Sequence, residues 1–152
     1  MKRLTFQVHI NADLKKVVKI MLNEDTFKVW TSAFNPTSHF EGSWDEGSKM
    51  LFVGINDKGQ KEGMVSRIKK HIPYQYVSIE HLGILQDGIE ITEGEDIPWK
   101  GAEENYSYEE INGVSIIKVE LDTVEESIDY FEKSYPEALQ KLKQLCEINN
   151  NE

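Results

Sequence analysis

The 152 residues include 17 lysines and arginines against 27 aspartates and glutamates, which gives a net charge of −10. This acidic balance argues against a nucleic-acid surface, because such a surface needs cationic side chains to displace counterions. It also argues against a broad face for anionic lipid headgroups. A chain of this length is expected to fold as one domain over residues 1–152, with an ordered core from about residue 3 to about residue 147.

The charge is unevenly distributed along the chain. Residues 1–75 carry 12 Lys plus Arg against 8 Asp plus Glu, whereas residues 76–152 carry 5 against 19. Such a split is typical either of a partner surface or of a solvated acidic face.

The single cysteine, Cys146, allows no disulfide within the chain. We therefore expect a cytoplasmic protein in which Cys146 is a small buried hydrophobe. No apolar run follows Lys2 and Arg3, and no stretch reaches the ~20 apolar residues of a membrane span. We expect neither a signal peptide nor a membrane-spanning helix.

The N-terminal segment predicts one strand and two short helices. Leu4–Ile10 alternates apolar and polar residues, as a half-buried strand does. Asn11 or Asp13 is expected to cap a helix that ends at Asn23–Asp25. A second short helix is expected to end at Asn35–Pro36, because the residue before a proline is pushed out of the helical region.

From Ser38 onward the pattern changes to the period of two that is typical of strands. The turn signals are Gly42–Gly47, Asn56–Gly59 and His71–Tyr74, and Gly59 suits a positive φ. Strands are predicted at Phe40, Met50–Val53, Met64–Ile72 and Tyr76–Leu82.

Two further strands, Ala102–Glu110 and Val114–Leu121, flank Asn112–Gly113, the strongest short hairpin signal in the sequence. Before them, Gly83–Lys100 is predicted to be a connection of about 18 residues, a length typical of functional or mobile loops. Trp99 at its end fits either a lid over a cavity or an anchor at the base of a flexible surface loop.

The longest helical pattern spans Thr123–Glu147, where apolar residues recur at steps of three and four. Thr123 and Glu126 predict a capping box at its start, since each side chain can bond to the backbone amide of the other.

Pro136 lies inside this helical pattern and has no amide hydrogen, so we expect a bend or a break there. Ser134 and Glu137 form a second possible capping box, which makes a break and restart one alternative. A kinked surface helix and a kink that opens a space between helix and sheet are both open interpretations.

The predicted order is one strand, two short helices, about six strands joined by hairpins, and one long helix. It favours an α+β fold in which a curved antiparallel sheet of about six to seven strands is covered by the final helix, the only cover available for its concave face.

This order resembles the helix-grip fold of the START/Bet v 1-like (SRPBCC) superfamily. The segments Phe40–Phe52, Gly63–Val65, Ile72–Pro73 and Tyr135–Leu139 are similar to the branch related to the C-terminal domain of the activator of Hsp90 ATPase. The resemblance covers essentially the whole chain and implies a single START-like domain with a pocket between sheet and helix, often holding a hydrophobic small molecule. The superfamily includes lipid carriers, hormone receptors, cyclases and hydratases, so the fold does not determine the function.

Metal and nucleotide chemistry lack their usual signatures in this sequence. The histidines His9, His39, His71 and His81 are widely separated, and neither an H-E-x-x-H motif nor paired cysteines are present, so we expect no metal site. Walker, dinucleotide-binding and G-x-S-x-G motifs are also missing. No cofactor is expected.

Two polar residues lie on apolar strand faces. His81 shares a face with Ile79, and if that face points inward His81 can orient a ligand or move a proton. A satisfied core histidine and a solvated one are the alternatives. Glu104 shares a face with Tyr106 and, as one of many acids in this half, is expected to be solvated, with a buried carboxylate as the alternative.

The residues predicted to line a ligand cavity are mostly aromatic and come from the second helix, the strands and the final helix. They are Trp30, Phe34, Phe40, Trp44, Phe52, Ile79, His81, Trp99, Tyr106, Tyr108, Phe131, Tyr135 and Leu139. An aromatic core without a cavity is the alternative interpretation.

Three functions are considered. The leading hypothesis is a non-enzymatic domain that binds an apolar or aromatic small molecule, with His81 or a tyrosine fixing its orientation. The second is a cyclase- or hydratase-type enzyme that uses His81 or Glu104 as acid or base. The third is a chaperone-related interaction module or stress-response protein that binds a protein partner through the acidic loop Asp87–Asp96. A homodimer is one possible oligomeric state.

Overall fold

The computed structural model describes residues 1–95 and 97–148. In this part of the chain the strands are β1 (Lys2–Ile10), β2 (His39–Gly42), β3 (Lys49–Ile55), β4 (Lys61–Ile72), β5 (Tyr76–Gln86), β6 (Ile89–Ile91), β7 (Ala102–Ile111) and β8 (Val114–Thr123). The helices are α1 (Leu14–Leu22), α2 (Glu24–Trp30) and α3 (Ile128–Glu147), with short 3₁₀ turns at Thr31–Ala33 and Glu125–Ser127.

The strands form one antiparallel sheet in the order β1-β8-β7-β5-β4-β3-β2, and β6 pairs with β5 beside this path. The sheet is curved, α3 lies against it, and two short helices follow β1, which confirms the predicted α+β helix-grip fold. The extra strand relative to the predicted six or seven is β6.

β6 arises within the segment that was predicted to be one long connection, Gly83–Lys100. The prediction is wrong for its first part, because β5 continues to Gln86 and a two-residue turn leads into β6. Asp87 and Gly88 have φ values of 53° and 77°, as the central residues of a tight hairpin do. Asp-Gly is itself a hairpin signal, but it lies inside a long acidic segment that was interpreted as a single connection.

Gly83 is also explained by this pairing, since a Cβ at Gly83 would collide with the Ile91 carbonyl oxygen. The segment between β6 and β7 is therefore 92–101. Asp96, the last residue of the predicted acidic loop, lies outside the described residues.

The predicted capping box at the start of the last helix is wrong. Thr123 still pairs with Lys2 as the last residue of β8, and its hydroxyl donates to the Val124 carbonyl. The 3₁₀ turn intervenes, and α3 begins only at Ile128 with no side-chain cap on Ser127. The strand extends further than the pattern indicated, so Thr123 cannot reach the helix N-terminus.

α3 runs without a break through Pro136. The alternative of a second capping box is wrong, because the Ser134 hydroxyl donates to the Tyr130 carbonyl within the same helix at 2.6 Å. A serine bonded to the preceding turn is common inside a helix. Only one helical hydrogen bond, to the carbonyl of Glu132, lacks its donor at the proline.

The concave face is covered by all three helices and not by α3 alone, as the sequence indicated. α3 packs against β1, α1 packs against β7 and β8, and α2 packs against β2. Asp13 caps α1 by accepting from the Lys16 amide at 2.9 Å, which decides between the two predicted caps. Cys146 on α3 is fully buried, and burial raises the pKa of its thiol to about 12.

Within the described part of the chain, no helix is both long and apolar enough to span a bilayer.

Candidate ligand-binding cavity

A cavity of about 820 Å³ lies between the first turns of α3 and the concave face of the sheet. Its walls come from α2 and the segment after it, from β3, β4, β5, β7 and β8, and from the segment between β6 and β7. The volume is within the range of small-molecule sites in proteins.

Eight of the thirteen residues predicted to line a cavity do line it. They are Trp30, Phe34, Phe52, His81, Trp99, Tyr106, Phe131 and Tyr135. The other five, Phe40, Trp44, Ile79, Tyr108 and Leu139, are not among the lining residues.

These five pack into the surrounding core. Phe40 and Trp44 pack edge to face, with ring centroids 5.4 Å apart, and both rings contact Phe27. The Tyr108 hydroxyl donates to the sulfur of Met21 at 3.6 Å. A period of two or of 3.6 assigns a residue to a face but does not show how far along that face the space extends.

A hydrogen-bonded network of mostly buried polar side chains includes three residues of the cavity wall, His81, Glu104 and Tyr135. Ser66 Oγ lies 2.7 Å from His81 Nδ1, and His81 Nε2 lies 3.0 Å from Glu104 Oε1. The Tyr135 hydroxyl donates to Glu104 Oε2. Four separate elements, β4, β5, β7 and α3, therefore meet through their side chains at this wall.

The strand register explains why these groups converge. His81 on β5 is directly opposite Ser66 on one side and Ala102 on the other. Residues that are opposite each other in adjacent strands project to the same face of the sheet, and Glu104 projects to that face because it is two residues after Ala102. A register shift between Val65 and Ser66 aligns the serine with His81.

Burial fixes the direction of the tyrosine hydrogen bonds. Burial first, and then the nearby charge of Glu104, raises the pKa of Tyr135 and the pKa of Tyr106 well above the ordinary value. Both hydroxyls therefore remain protonated at neutral pH, and Tyr135 is the donor to the carboxylate. The Tyr106 and Tyr135 hydroxyls also interact with each other.

The expectation that Glu104 is solvated is wrong, since its side chain is only 17% exposed and borders the cavity. His81 is 6% exposed and faces the same space, so the inward orientation is the correct alternative. Nothing in the sequence singles out Ser66, because the partner of a serine on a strand can be identified only when the strand register is known.

The edge of the cavity is formed by backbone and aromatic contacts. Tyr130 on α3 donates to the Phe34 carbonyl at 2.9 Å, which joins α3 to the segment after α2. Trp99 is half-buried at the other edge, where its carbonyl accepts from the Ala102 amide. The Gly101 amide donates to the His81 carbonyl at 2.8 Å. The bond from Gly101 joins the segment 92–101 to β5, directly beside the polar network.

The acidic segment that was predicted to bind a protein partner forms ion pairs with two lysines outside it. Glu90 lies 2.6 Å from Lys49 Nζ, and Glu93 lies 3.1 Å from Lys100 Nζ. Binding of a protein through this segment stays a prediction. Over residues 1–95 and 97–148, no group of three or more His, Cys, Asp or Glu side chains is arranged to hold a metal ion.

No model of a known protein family matches the chain, and no curated protein matches it by sequence. Many solved structures have a similar fold. ChR145 from Cytophaga hutchinsonii has a TM-score of 0.73 at 15% identity, covering 100% of this chain and 98% of that protein. The Aha1 dimer from Colwellia psychrerythraea has a TM-score of 0.66 at 20% identity, covering 97% of this chain and 98% of that one.

DynU16, from the dynemicin biosynthetic locus, has a TM-score of 0.69 at 10% identity and covers 97% of this chain, which spans 48% of DynU16. At these identities the similarity establishes the helix-grip fold and nothing about function.

Proposed function

We propose that this protein binds an apolar or aromatic small molecule beneath α3, with a polar group of the ligand at the Glu104–His81–Tyr135 wall. The observation that carries the proposal is the cavity of about 820 Å³, which has aromatic walls and one concentrated set of polar groups. An apolar pocket with a few convergent polar groups is the usual form of a small-molecule site.

The expected affinity follows from the apolar surface that the ligand loses. A naphthalene-sized ligand that buries about 200 Å² gains about 5 kcal/mol before the entropic cost of association. Even without that cost, about 5 kcal/mol corresponds to a dissociation constant of only about 0.2 mM, so a dissociation constant in the millimolar range is expected for a ligand that makes no polar contact.

N-phenyl-1-naphthylamine is a suitable first probe, because it is uncharged and its fluorescence rises in an apolar environment. We expect saturable binding of one probe per chain. Ala102→Trp should abolish it, since Ala102 borders the cavity opposite His81 and the indole would project across the space. Gln60→Trp, at an exposed hairpin outside the cavity, is the matched control and should bind normally. Absence of saturable binding by the wild type, or equal binding by both variants, would contradict the proposal.

A second candidate function is acid–base catalysis, and the position of Glu104 and His81 at the cavity wall favours it. The Glu104 carboxylate would take a proton from the carbon next to a substrate carbonyl, while the protonated Tyr106 hydroxyl donates to the carbonyl oxygen. This enolisation step is shared by cyclases and hydratases that act beside a carbonyl.

Proton NMR can measure this step as deuterium exchange at the α carbon of 2-tetralone in D₂O. Catalysis predicts exchange faster than the buffer rate that falls at least tenfold in Glu104→Gln. Exchange at the buffer rate in the wild type would leave binding as the function.

Two finer predictions from the sequence remain proposals. The Aha1 neighbour supports the resemblance to the Hsp90-activator branch, and that neighbour was solved as a dimer. Sedimentation of this protein over a range of concentrations tests for a homodimer. Co-purification with Hsp90 at low salt tests for a chaperone partner.

A further inference from the structure

We infer that the cavity selects organic amines, and that its preferred ligand is an aromatic or apolar body that carries a primary or secondary ammonium group. This inference rests on the proposed function and specifies the chemical class of the ligand. It derives from the charges of the cavity wall and from the aromatic rings beside them.

The charged residues that line the cavity are all acidic. Glu62, Glu104 and Asp122 are among the described residues that line the cavity, and no lysine or arginine is among them. Asp122 is neutralised by Arg3, whose Nε lies 2.8 Å from its carboxylate. Glu62 is exposed at the rim. Glu104, whose side chain is 17% exposed, is thus the one carboxylate of this set that is largely buried and without a lysine or arginine partner in the described chain.

The hydrogen bonds to Glu104 leave room for a ligand. His81 and Tyr135 each bond to a different carboxylate oxygen, and each oxygen of a carboxylate can accept two hydrogen bonds. One acceptor position on each oxygen therefore remains for the N–H groups of a ligand.

A neutral His81 accounts for both of its contacts. The Ser66 hydroxyl can donate to Nδ1 while Nε2–H donates to Glu104, so the ring needs no second proton. Among the described residues, no lysine or arginine lies against Glu104 to offset its charge. A carboxylate in a site of low dielectric favours a cation beside it and strongly disfavours a second anion.

The neighbouring rings add to the same preference. Phe52 is centred 6.1 Å from His81, and Tyr106 and Tyr135 border the cavity at Glu104. An ammonium close to the faces of such rings is attracted by their quadrupoles, and this attraction is strongest in desolvated sites. The ligand body would occupy the space between Trp30, Phe34 and Phe131, where the neighbouring polar lining residues, Thr31, Asn35, Ser127 and Tyr130, carry no charge.

Three ligands share one naphthalene body and differ in charge, and the anion is larger than the other two by two non-hydrogen atoms. They are 1-naphthylmethylamine, 1-naphthylmethanol and 1-naphthylacetate, which are cationic, neutral and anionic at pH 7. Isothermal titration should show that the amine binds roughly tenfold or more tightly than the alcohol, since charge-assisted hydrogen bonds and cation–π contacts favour the cation. The acetate should bind at least roughly tenfold more weakly than the alcohol, because it meets a like charge.

Two matched variants test which carboxylate is responsible for the preference for a cation. Glu104→Gln keeps the size of the side chain and should bring the three affinities within about threefold of one another, whereas Glu62→Gln at the rim should leave the order unchanged. A wild-type alcohol affinity equal to or above that of the amine would overturn the inference and leave the proposed function intact. Loss of the order in Glu62→Gln alone would also overturn it. If none of the three ligands binds, the proposed function itself fails. The comparison of ligands on the wild type does not depend on how well either variant folds.

Discussion

The two ends of α3 differ in what they meet, although both continue one helical pattern. Ala138, Leu139, Leu142 and Cys146 are almost fully buried and are not among the residues that line the cavity, and we call this region the packed end. Tyr130, Phe131 and Tyr135 border the cavity, and we call this region the open end. Periodicity therefore identifies which face of α3 is inward, while the opposing residues decide whether that face is packed or open.

The opposing residues explain the difference. At the packed end the apolar side chains of α1, Val17, Val18 and Met21, belong to the same core cluster as α3. Lys143 also donates to the His9 carbonyl there, and Glu147 accepts from the Asn11 amide. At the open end the sheet side chains opposite α3 are polar. Hydrogen bonds among His81, Glu104 and Tyr135 hold them at the wall, so they do not fill the space.

The largest expected effect comes from truncating the packed end. Leu142→Ala should lower the free energy of unfolding by about 3 kcal/mol, because Leu142 is fully buried and its loss leaves a cavity. Phe131→Ala should cost about 1 kcal/mol, since Phe131 is only partly buried beside existing space. Urea denaturation measures both. Equal losses would mean that the two ends are equally packed.

A second comparison of the packed end with the cavity adds side-chain volume instead of removing it. Ala138→Leu at the packed end should destabilise by roughly 1–3 kcal/mol through overpacking, whereas Ala102→Leu at the cavity wall should change stability by less than about 0.5 kcal/mol. Both alanines are almost fully buried, at 0% and 3% exposure, so burial alone predicts no difference. Thermal unfolding of the two variants decides. A similar loss of melting temperature in both would show that the space beside Ala102 is not available.

The smallest effects concern an ion pair at each end. Arg3 lowers the pKa of Asp122 at the rim of the open end, and Lys143 lowers the pKa of Glu147 at the packed end. A carboxyl whose pKa is lowered by folding stabilises the protein above its unfolded pKa, about 4, and the contribution disappears as pH falls through the folded pKa. Asp122→Asn and Glu147→Gln should each cost about 0.5–1 kcal/mol at pH 7.

The pH dependence of the stability of these two variants tests whether the ion pairs cause the losses. Urea midpoints of wild type and variants should converge as the pH is lowered from about 5 to about 2. A difference that persists at the acid end would show that the effect is due to packing.

Much of this fold could be predicted from the sequence, because its signals are local. The alternation over Leu4–Ile10, the Asn112–Gly113 turn and the period of α3 each depend on neighbours within a few residues. β6 and the start of α3 were predicted incorrectly, since Asp87–Gly88 lies in an acidic segment and Thr123 is held in β8 by its pairing with Lys2.

The candidate site was less predictable for a physical reason. Its polar wall depends on the register that places Ser66 opposite His81 and on the helix that brings Tyr135 to Glu104. The hydrogen-bonded residues there are 15, 23 and 31 positions apart in the chain, and local patterns contain no information about such contacts. Individual candidates such as His81 could be proposed, but not the network they form.

The most direct test of the account is an NMR titration of the ¹⁵N-labelled protein with 1-naphthylmethanol. Binding at the open end predicts that the amide signals of His81, Ala102, Glu104 and Phe131 shift in a saturable way, while those of Leu142 and Cys146 stay unchanged. Shifts confined to the packed end or to exposed residues such as Ile89, or no saturable shifts at all, would contradict the central claim that the space beneath α3 is a ligand site.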